Sequence, residues 1–259
     1  MDLEIKDNVF IVSGGSKGIG EGITRAIVAE GGIPVIATRS TEATIRISGE
    51  LSKTSNKHHY VIGDLRDTEF CKKIIDETVE KFGRIDGIVN NAGVNDGAGL
   101  EAGPGAFRKS IDLNLFHYYD MVHYALPFLK ESKGSIVNIS SKVALTGQGG
   151  TSGYAAAKGA QLALTREWAA DLLKYSIRVN AIIPAEVMTP LYRNWLDTFD
   201  NPDQKESGIK SKIPLGQRMT TTEEIASMVE FLLSPKSSHT TGQIIAVDGG
   251  YVHLDRSLT

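Results

Sequence analysis

Tyr154 and Lys158 stand four positions apart in the segment SGYAAAKG, whose other residues are small. On a helix, positions i and i+4 share one face, so the ammonium of Lys158 would lie close to the phenol of Tyr154. A tyrosine pKa of about 10 makes a poor acid or base at neutral pH, but a neighbouring positive charge favours the phenolate. The pair is therefore a candidate for proton transfer. An amphipathic helix with two side chains facing water is the simpler explanation of the same spacing.

A glycine-rich turn in the segment VFIVSGGSKGIG follows the first apolar run. Gly14, Gly18 and Gly20 permit a tight turn, which lets backbone N–H groups approach a pyrophosphate at the start of a helix. The spacing is G-x-x-x-G-x-G rather than G-x-G-x-x-G. At the first strand-to-helix junction of an alternating chain, this turn predicts a dinucleotide site.

Strands and helices must bring these residues together, and short apolar runs do alternate with helical patterns along the whole chain. The predicted strands are 8–14, 33–38, 59–64, 85–91, 134–140, 177–183 and 242–250, and the predicted helices are 18–30, 41–54, 67–82, 105–130, 152–174 and 222–233. Most runs are rich in Val and Ile without strict alternation, which is typical of strands buried on both faces. We therefore predict a single α/β domain over 1–259, Rossmann-like and doubly wound, with a seven-stranded parallel sheet flanked by helices on both faces.

The segment 188–221 departs from this alternation, because PLYRNWLDTFDNPDQKESG is polar, bears aromatic residues and is broken by Pro and Gly. An insertion so late in the chain predicts a mobile lid over a substrate. A surface helical excursion without function is the alternative.

Composition excludes several classes of function. A net charge of −3 gives no electrostatic reason to expect a nucleic-acid or membrane partner. The single cysteine, Cys71, cannot form an internal disulfide, and the chain shows neither a leader nor a long apolar run, so we expect a cytoplasmic protein. The six histidines lack supporting Cys or acidic spacing, so no metal is expected.

The type of nucleotide should be read where the second strand ends. An acidic residue there accepts from the ribose 2′-hydroxyl of NAD, but this strand ends in IATRS with Thr38 and Arg39. Arg39 and Lys17 can converge on a 2′-phosphate, which favours NADP, whereas NAD remains acceptable if both are solvated charges. Asp64 ends the third strand and could meet the adenine, and Asn91 with Gly93 ends the fourth, which suits a ribose.

Five motifs in order resemble those of the short-chain dehydrogenase/reductase family: SGGSKGIG, NNAG, IVNISS, YAAAK and VNAIIPAEVMTP. The resemblance implies that Ser141, Tyr154, Lys158 and Asn114 are the catalytic residues. Tyr154 would exchange a proton with an alcohol or carbonyl while hydride moves to or from a nicotinamide. Ser141 would orient the same oxygen, and the backbone carbonyl of Asn114 would hold a water that links Lys158 to solvent.

The resemblance also implies a set of cofactor contacts, in which Lys158 holds the nicotinamide ribose and Thr189 reaches the carboxamide. The predicted cofactor-binding residues are Gly14, Ser16, Lys17, Gly18, Ile19, Gly20, Thr38, Arg39, Asp64, Leu65, Asn91, Ala92, Gly93, Ile139, Tyr154, Lys158, Pro184, Val187 and Thr189. One departure from the family is Pro184-Ala185-Glu186, where relatives usually have Pro-Gly. Glu186 is then either a surface charge or a reader of substrate hydroxyls.

More particular stretches, among them NNAGVNDG, SSKVALTGQGGTSGY and DGGYVHLDR, resemble the bacterial L-fucose dehydrogenases within that family. This implies a sugar, L-fucose or a related aldose, oxidised at C1 to the lactone. A polyol needs many placed donors and acceptors. The predicted substrate residues are Asn95, Gln148, Glu186, Tyr192 and Trp195, with Asp96 and Arg193 nearby.

Two other functions stay open on the sequence alone. The same fold could reduce a 3-oxoacyl thioester or another carbonyl, although Glu186 and Asp96 suit such a substrate poorly. A non-catalytic subunit that senses the dinucleotide is the second alternative, against which the complete Ser-Tyr-Lys-Asn set argues.

The resemblance further implies a homotetramer, because in relatives the long helices corresponding to 105–130 and 152–174 pair across two-fold axes. The tail GGYVHLDRSLT continues beyond the last strand, and its His253 and Arg256 could reach toward a neighbour's site.

Overall fold

The computed structural model describes residues 2–55 and 57–254, and within them seven parallel strands form one sheet. Their order across the sheet is β3-β2-β1-β4-β5-β6-β7. The strands are β1 (Val9–Ser13), β2 (Ile33–Thr38), β3 (His59–Ile62), β4 (Gly87–Asn90), β5 (Ser135–Ile139), β6 (Arg178–Pro184) and β7 (Ile244–Val247). The predicted doubly wound α/β domain is confirmed.

Helices connect these strands and lie on both faces of the sheet. They are α1 (Gly18–Ala29), α2 (Thr41–Leu51), α3 (Thr68–Phe82), α4 (Gly103–Ile111), α5 (His117–Ser132), α6 (Ser152–Leu172), α7 (Pro190–Leu196), α8 (Pro202–Lys210) and α9 (Thr222–Leu233). In the part of the chain that the structure describes, no helix is both long and apolar enough to cross a membrane.

The central strand β1 shows why its sequence lacks a polar face. Val9 and Ile11 belong to a core cluster with α3, α5 and α6, whereas Phe10 and Val12 belong to a second cluster with α1 and α9. All four side chains are at most 1% exposed. Since each face of the strand is covered by helices, apolar residues follow one another along it.

The sheet changes direction between β1 and β4. From β1 the chain proceeds outward through β2 to β3, and it then returns to pair β4 with the other side of β1. The connections therefore leave a crevice at the carboxyl ends of these two strands, which is where open α/β sheets bind ligands. The glycine turn after β1 and residues 91–93 after β4 both lie at this edge.

The helix predicted over 105–130 is wrong as one continuous element. α4 ends at Ile111, a π-helical turn spans Asp112–Phe116, and α5 begins at His117. Within this turn the Asn114 side chain donates to the Ser110 carbonyl at 2.9 Å. An asparagine competes with the helical ladder in this way, and the wider turn brings Asn114 toward the sheet edge.

The predicted last strand, 242–250, is longer than the one observed, which ends at Val247. Gly249 and Gly250 have φ of +65° and +84°, a left-handed conformation that ends the extended chain. Arg256 in the predicted tail contact lies outside the described residues.

The segment 188–221 holds α7 and α8. Each begins with a proline in its first turn after a side-chain cap, Thr189 accepting from the Tyr192 amide and Asn201 from the Gln204 amide. The prolines that break the sequence pattern thus mark the starts of the two helices, whereas Gly208 lies inside α8. The role of this segment as a lid stays a prediction.

Candidate active site

A cleft of about 1160 Å³ opens at the carboxyl edge of the sheet. It is lined by every predicted cofactor residue, by Ser141, Tyr154 and Lys158, and by the predicted substrate residues Asn95, Gln148, Glu186, Tyr192 and Trp195. Asn114 lies behind this lining and is fully buried. The parallel sheet therefore brings together segments that are far apart in sequence.

The glycine turn leaves little room for a side chain at Gly14, Gly18 or Gly20. Gly14 and Gly18 have φ of +68° and +56°, and a Cβ atom on Gly20 would lie 2.3 Å from the Gly14 carbonyl oxygen. Among the described residues no side chain caps the start of α1. A tight turn that presents a free helix N-terminus to the cleft fits a dinucleotide pyrophosphate.

Ser13 and Asn91 join the ends of β1 and β4 beneath the cleft. The Asn91 side chain donates to the Ser13 carbonyl at 2.8 Å, and the Ser13 hydroxyl accepts from the backbone amides of Asn91 and Ala92 at 2.9 and 3.0 Å. The Asn91 amide thus binds the neighbouring strand. Its predicted contact with a ribose stays a prediction.

The two predicted cations of the 2′-phosphate, Lys17 and Arg39, are both exposed at the cleft. Between them the hydroxyls of Ser16 and Thr38 share a hydrogen bond of 2.8 Å. No carboxylate stands at the end of β2, in agreement with the sequence.

Asp64 lines the cleft and is held by Arg66, a residue that the sequence analysis did not consider. The Arg66 guanidinium donates to its carboxylate through Nε at 3.1 Å and through Nη2 at 2.5 Å. This hydrogen bonding lowers the pKa of Asp64 to about 2. Arg66 also lines the cleft, so a guanidinium adjoins the predicted adenine position.

Tyr154 is half-buried, with its ring at the cleft and Ser141 beside it. Burial raises the pKa of Tyr154 to about 12, and the neighbouring Ser141 hydroxyl acts in the opposite direction. The Lys158 ammonium lies 5.5 Å from the centre of the Tyr154 ring. The three side chains therefore have the proximity that a proton-transfer site needs.

Lys158 is only 2% exposed, and burial lowers the pKa of its ammonium to about 7. Its Nζ donates to the Ile139 carbonyl at 2.8 Å, to the Tyr118 hydroxyl at 3.3 Å and to Gln161 Oε1 at 3.3 Å. These acceptors lie in the protein interior. Contact of Lys158 with a ribose stays a prediction.

Asn114 connects α6 to the loop after β4. Its backbone carbonyl accepts from the Gln161 side-chain amide at 2.8 Å, and the water that the resemblance implies at this carbonyl stays a prediction. Its side-chain oxygen accepts from the Val94 amide at 2.7 Å, which fixes the loop after β4. A Cβ atom on Gly93 would lie 2.9 Å from that oxygen, so only glycine fits there.

Tyr118 and Gln161 were missed by the sequence analysis. Tyr118 stands four residues after Asn114, and Gln161 stands three residues after Lys158. A polar residue one helical turn from a catalytic residue shares its face, which is the signal that identifies both.

The substrate side of the cleft contains an ion pair between Lys142 and Glu186, each side chain being 12% exposed. The Tyr192 hydroxyl donates to the other Glu186 oxygen at 2.8 Å. Burial and the Glu186 carboxylate raise the pKa of Tyr192 above its ordinary range. The Lys142 ammonium also lies 4.2 Å from the ring centre of Tyr251 in the C-terminal segment. Glu186 is therefore no free surface charge.

The other predicted substrate residues have differing environments. Trp195 is 45% exposed, Gln148 is exposed, and Asn95 Oδ1 accepts from the Thr151 hydroxyl. Asp96 and Arg193 do not line the cleft, although their chain neighbours Asn95, Gly97 and Tyr192 do. Asp96 accepts from Ser110, whereas Arg193 pairs with Asp197 and Glu206.

Lys142 directly follows Ser141, and the sequence analysis did not consider it. Its position three residues after the end of a buried strand was the available signal. Within residues 2–55 and 57–254, no cluster of three or more His, Cys, Asp or Glu is arranged to hold a metal.

Comparisons with known proteins identify a family and several relatives. Residues 14–252 match a family model described as Enoyl-(Acyl carrier protein) reductase. The chain is 36% identical over 252 residues to the L-fucose dehydrogenase of Bos taurus, covering 96% of this chain and 91% of that protein. It is 32% identical over 252 residues to the 3-oxoacyl-(acyl-carrier-protein) reductase FabG of Thermotoga maritima, covering 96% of this chain and 100% of that protein.

Two solved structures extend the comparison. The crystal structure of Cj0485 dehydrogenase is 51% identical with a TM-score of 0.96, covering 100% of this chain and 99% of that chain. The ligand-free aldohexose dehydrogenase of Thermoplasma acidophilum is 31% identical with a TM-score of 0.88, covering 98% of this chain and 97% of that chain.

Proposed function

Since the chain belongs to the short-chain dehydrogenase/reductase family and is an oxidoreductase of CH–OH donors, we propose that its substrate is an aldose, L-fucose or a close relative, oxidised at C1 to the lactone. The observation that carries this proposal is the cluster of Lys142, Glu186 and Tyr192 beside the Ser141–Tyr154–Lys158 site. The cluster makes the substrate side of the cleft charged and hydrogen-bonding.

Residues of this chain carry out the proton transfer. A bound nicotinamide nucleotide supplies the acceptor for the hydride that leaves C1. Ser141 binds and orients the C1 oxygen, and Tyr154 takes the proton of that hydroxyl as the C=O bond forms. The positive charge of Lys158 favours the Tyr154 phenolate against the effect of burial.

Hydroxyl recognition is the role we assign to the Lys142–Glu186 pair. An ammonium donates three hydrogen bonds and a carboxylate accepts several, so both retain capacity after pairing with each other. Burying two charged groups costs desolvation free energy. A buried ion pair is therefore poor evidence that its residues serve the stability of the fold alone. Neighbouring hydroxyls of a sugar offer both a donor and an acceptor, which matches the pair.

Two relatives support a sugar by their names, the L-fucose dehydrogenase of Bos taurus and the aldohexose dehydrogenase of Thermoplasma acidophilum. A 3-oxoacyl thioester is the second candidate, favoured by the similarity to the Thermotoga maritima reductase. The paired charges of Lys142 and Glu186 oppose it, because an acyl chain would leave unused the hydrogen-bonding capacity that the pair retains and would place an apolar group against two charges.

For the cofactor we favour NADP over NAD. Family members use NAD(P), and here Lys17 and Arg39 flank the end of β2 without a competing carboxylate. Two cations recognise a 2′-phosphate, whereas NAD selection usually relies on an acid at this place.

The segment containing α7 and α8 would act as the lid, since α7 contributes Tyr192 and Trp195 to the cleft wall. A homotetramer is supported by exposed aromatic residues at the helices expected to pair, with Phe107, Phe116 and Tyr119 being 40%, 53% and 54% exposed. Apolar patches of this kind favour association with another chain.

The test is a substrate panel of L-fucose, D-arabinose, L-galactose and a 3-oxoacyl thioester, each with NADP(H) and NAD(H), followed by absorbance of the reduced nicotinamide. We expect oxidation of at least one sugar, with NADP preferred, and its loss in Tyr154→Phe. If no sugar is oxidised and the thioester is reduced, the sugar proposal is overturned. Equal efficiency with NAD would overturn the cofactor preference alone.

A further inference from the structure

The buried side of Lys158 has an arrangement that the proposed reaction does not by itself require. An ammonium carries three hydrogens, and Nζ faces three acceptors among the described residues: the Ile139 carbonyl, the Tyr118 hydroxyl and Gln161 Oε1. Each lies within 3.3 Å of Nζ. Two of these acceptors, Tyr118 and Gln161, lie outside the cleft lining and contact the charge from the protein interior.

Gln161 connects this charge to the π-helical turn. Its Nε2 donates to the Asn114 carbonyl at 2.8 Å while its Oε1 accepts from Lys158. One side chain therefore spans the distance between the Asn114 carbonyl and the ammonium. An amide in this position is fixed by two hydrogen bonds, so it is a rigid support.

Tyr118 completes the support from α5. Its hydroxyl donates to the Ile139 carbonyl at 3.0 Å, which leaves its oxygen lone pairs directed to other donors such as Lys158. Burial keeps this phenol neutral by raising its pKa well above the ordinary range. Both Tyr118 and Gln161 are 0% exposed and are not part of the cleft lining.

Burying a phenol and an amide is unfavourable unless their polar atoms are satisfied. Apolar side chains of similar size would fill the same space without this cost. The polar ends of both residues converge on one ammonium, which identifies what they are there to bind.

We propose that Tyr118 and Gln161 are positioning residues that hold the Lys158 ammonium in its charged form beneath Tyr154. They touch neither substrate nor cofactor and act through Lys158. The proposal rests on the proton-transfer role given to Tyr154 and Lys158 above, but it does not depend on which alcohol is oxidised.

The titratable groups that face Lys158 are few among the described residues. Tyr154 lies on its own helix α6, and His117 and Tyr118 lie on α5. Burial, with a smaller effect of the Lys158 charge, lowers the pKa of His117 to about 4, so His117 is neutral at pH 7. Burial is the cause that lowers the pKa of Lys158 itself, and the acceptors oppose it.

The variants are Tyr118→Phe, which removes one oxygen, and Gln161→Met, which keeps the length of the side chain. Tyr124→Phe is the matched control, because Tyr124 lies on the same helix and packs on the core outside the cleft lining. The first readout is NMR titration of the Lys158 ε-carbon in ¹³C-lysine-labelled protein, assigned by the signal missing from Lys158→Met.

We expect the titration, near pH 7 in the unchanged protein, to move down by about one pH unit in each variant, since a hydrogen bond to a charged group favours that form. The second readout is the pH profile of kcat for an alcohol that the enzyme oxidises. In each variant Lys158 carries less positive charge near neutral pH, so Tyr154 should lose its proton at higher pH. The rising limb of the kcat profile should therefore move to higher pH. Tyr124→Phe should leave both unchanged.

The NMR readout needs no substrate, so failure of the sugar proposal would leave this test intact. If either variant fails to fold, the other provides the same measurement. Gln161→Glu adds a third variant, in which a carboxylate beside the ammonium should raise the pKa of Lys158. An equal loss of kcat at all pH values, with no shift in the Lys158 titration, would show a purely structural role and overturn the proposal.

Discussion

The two halves of the cleft differ in the kind of groups that line them. The half that fits the dinucleotide is mostly backbone and small residues, with Gly14, Gly18 and Gly20 in one continuous turn. The half assigned to the substrate is made of long side chains from separate segments, with Lys142 after β5, Glu186 after β6 and Tyr192 on α7. The first half is a local motif, whereas the second exists only when distant segments meet.

This difference predicts how each half responds to mutation. A backbone cradle has no spare volume, so an added methyl group should displace it. A side-chain cluster tolerates a change in size, but it loses affinity when a donor or acceptor is removed. Tyr154 lies where the two halves meet and should affect chemistry without affecting either kind of binding.

The largest effect is expected for Tyr154→Phe. Removing the proton acceptor should lower kcat about a thousandfold, the usual size of a general acid–base contribution. Cofactor affinity, measured by quenching of protein fluorescence, should stay within about twofold. A variant that retains a tenth of the original kcat would show that another group takes the proton.

Gly20→Ala tests the backbone half. The new Cβ would lie 2.3 Å from the Gly14 carbonyl oxygen and 2.6 Å from Asn91 Nδ2, so the turn must shift. We expect cofactor affinity to fall by a factor of about 100 and unfolding free energy by about 1–3 kcal/mol. Isothermal titration and urea denaturation measure the two quantities.

Gly49→Ala is the matched control, because a Cβ atom there meets nothing within 4 Å. Gly49 is exposed on α2, so alanine should leave cofactor affinity unchanged and stabilise the helix slightly. Similar cofactor loss in both variants would contradict the steric explanation.

Lys142→Met and Glu186→Gln test the side-chain half. Each should raise KM for the sugar about 10- to 100-fold, since a hydrogen bond with a charged group is lost, while cofactor affinity stays unchanged. The increase in KM in the double variant should be smaller than the product of the two single increases, because the residues form one ion pair. Lys236→Met is the control, as Lys236 pairs with Glu4 on the surface.

The smallest effect is expected for Arg39→Ala and Lys17→Ala. Both side chains are exposed, so each loss should weaken NADP about tenfold and leave NAD nearly unaffected. Steady-state KM values for the two nucleotides at low and moderate salt measure this. Equal weakening of both nucleotides would place these cations away from the 2′-phosphate.

Much of this architecture could be predicted from sequence. Apolar runs identified all seven strands, because strands covered on both faces contain few polar residues. The glycine turn and the Tyr154–Lys158 spacing depend on contacts within a few residues, so local sequence carries them. The break of α4 and α5 at Asn114 was missed, since a π-helical turn has no strong periodic signal.

The sequence by itself determined the alternation of strands and helices, the glycine cradle and the spacing that makes Tyr154 and Lys158 a candidate pair, because each follows from local periodicity or spacing. Only the tertiary structure decided what surrounds that pair. Lys142 meets Glu186 across 44 residues, and Lys158 meets Tyr118 across 40, at distances in sequence where no local rule applies. The parallel sheet brings them together because its strand ends share one edge, and this edge converts scattered polar residues into a site.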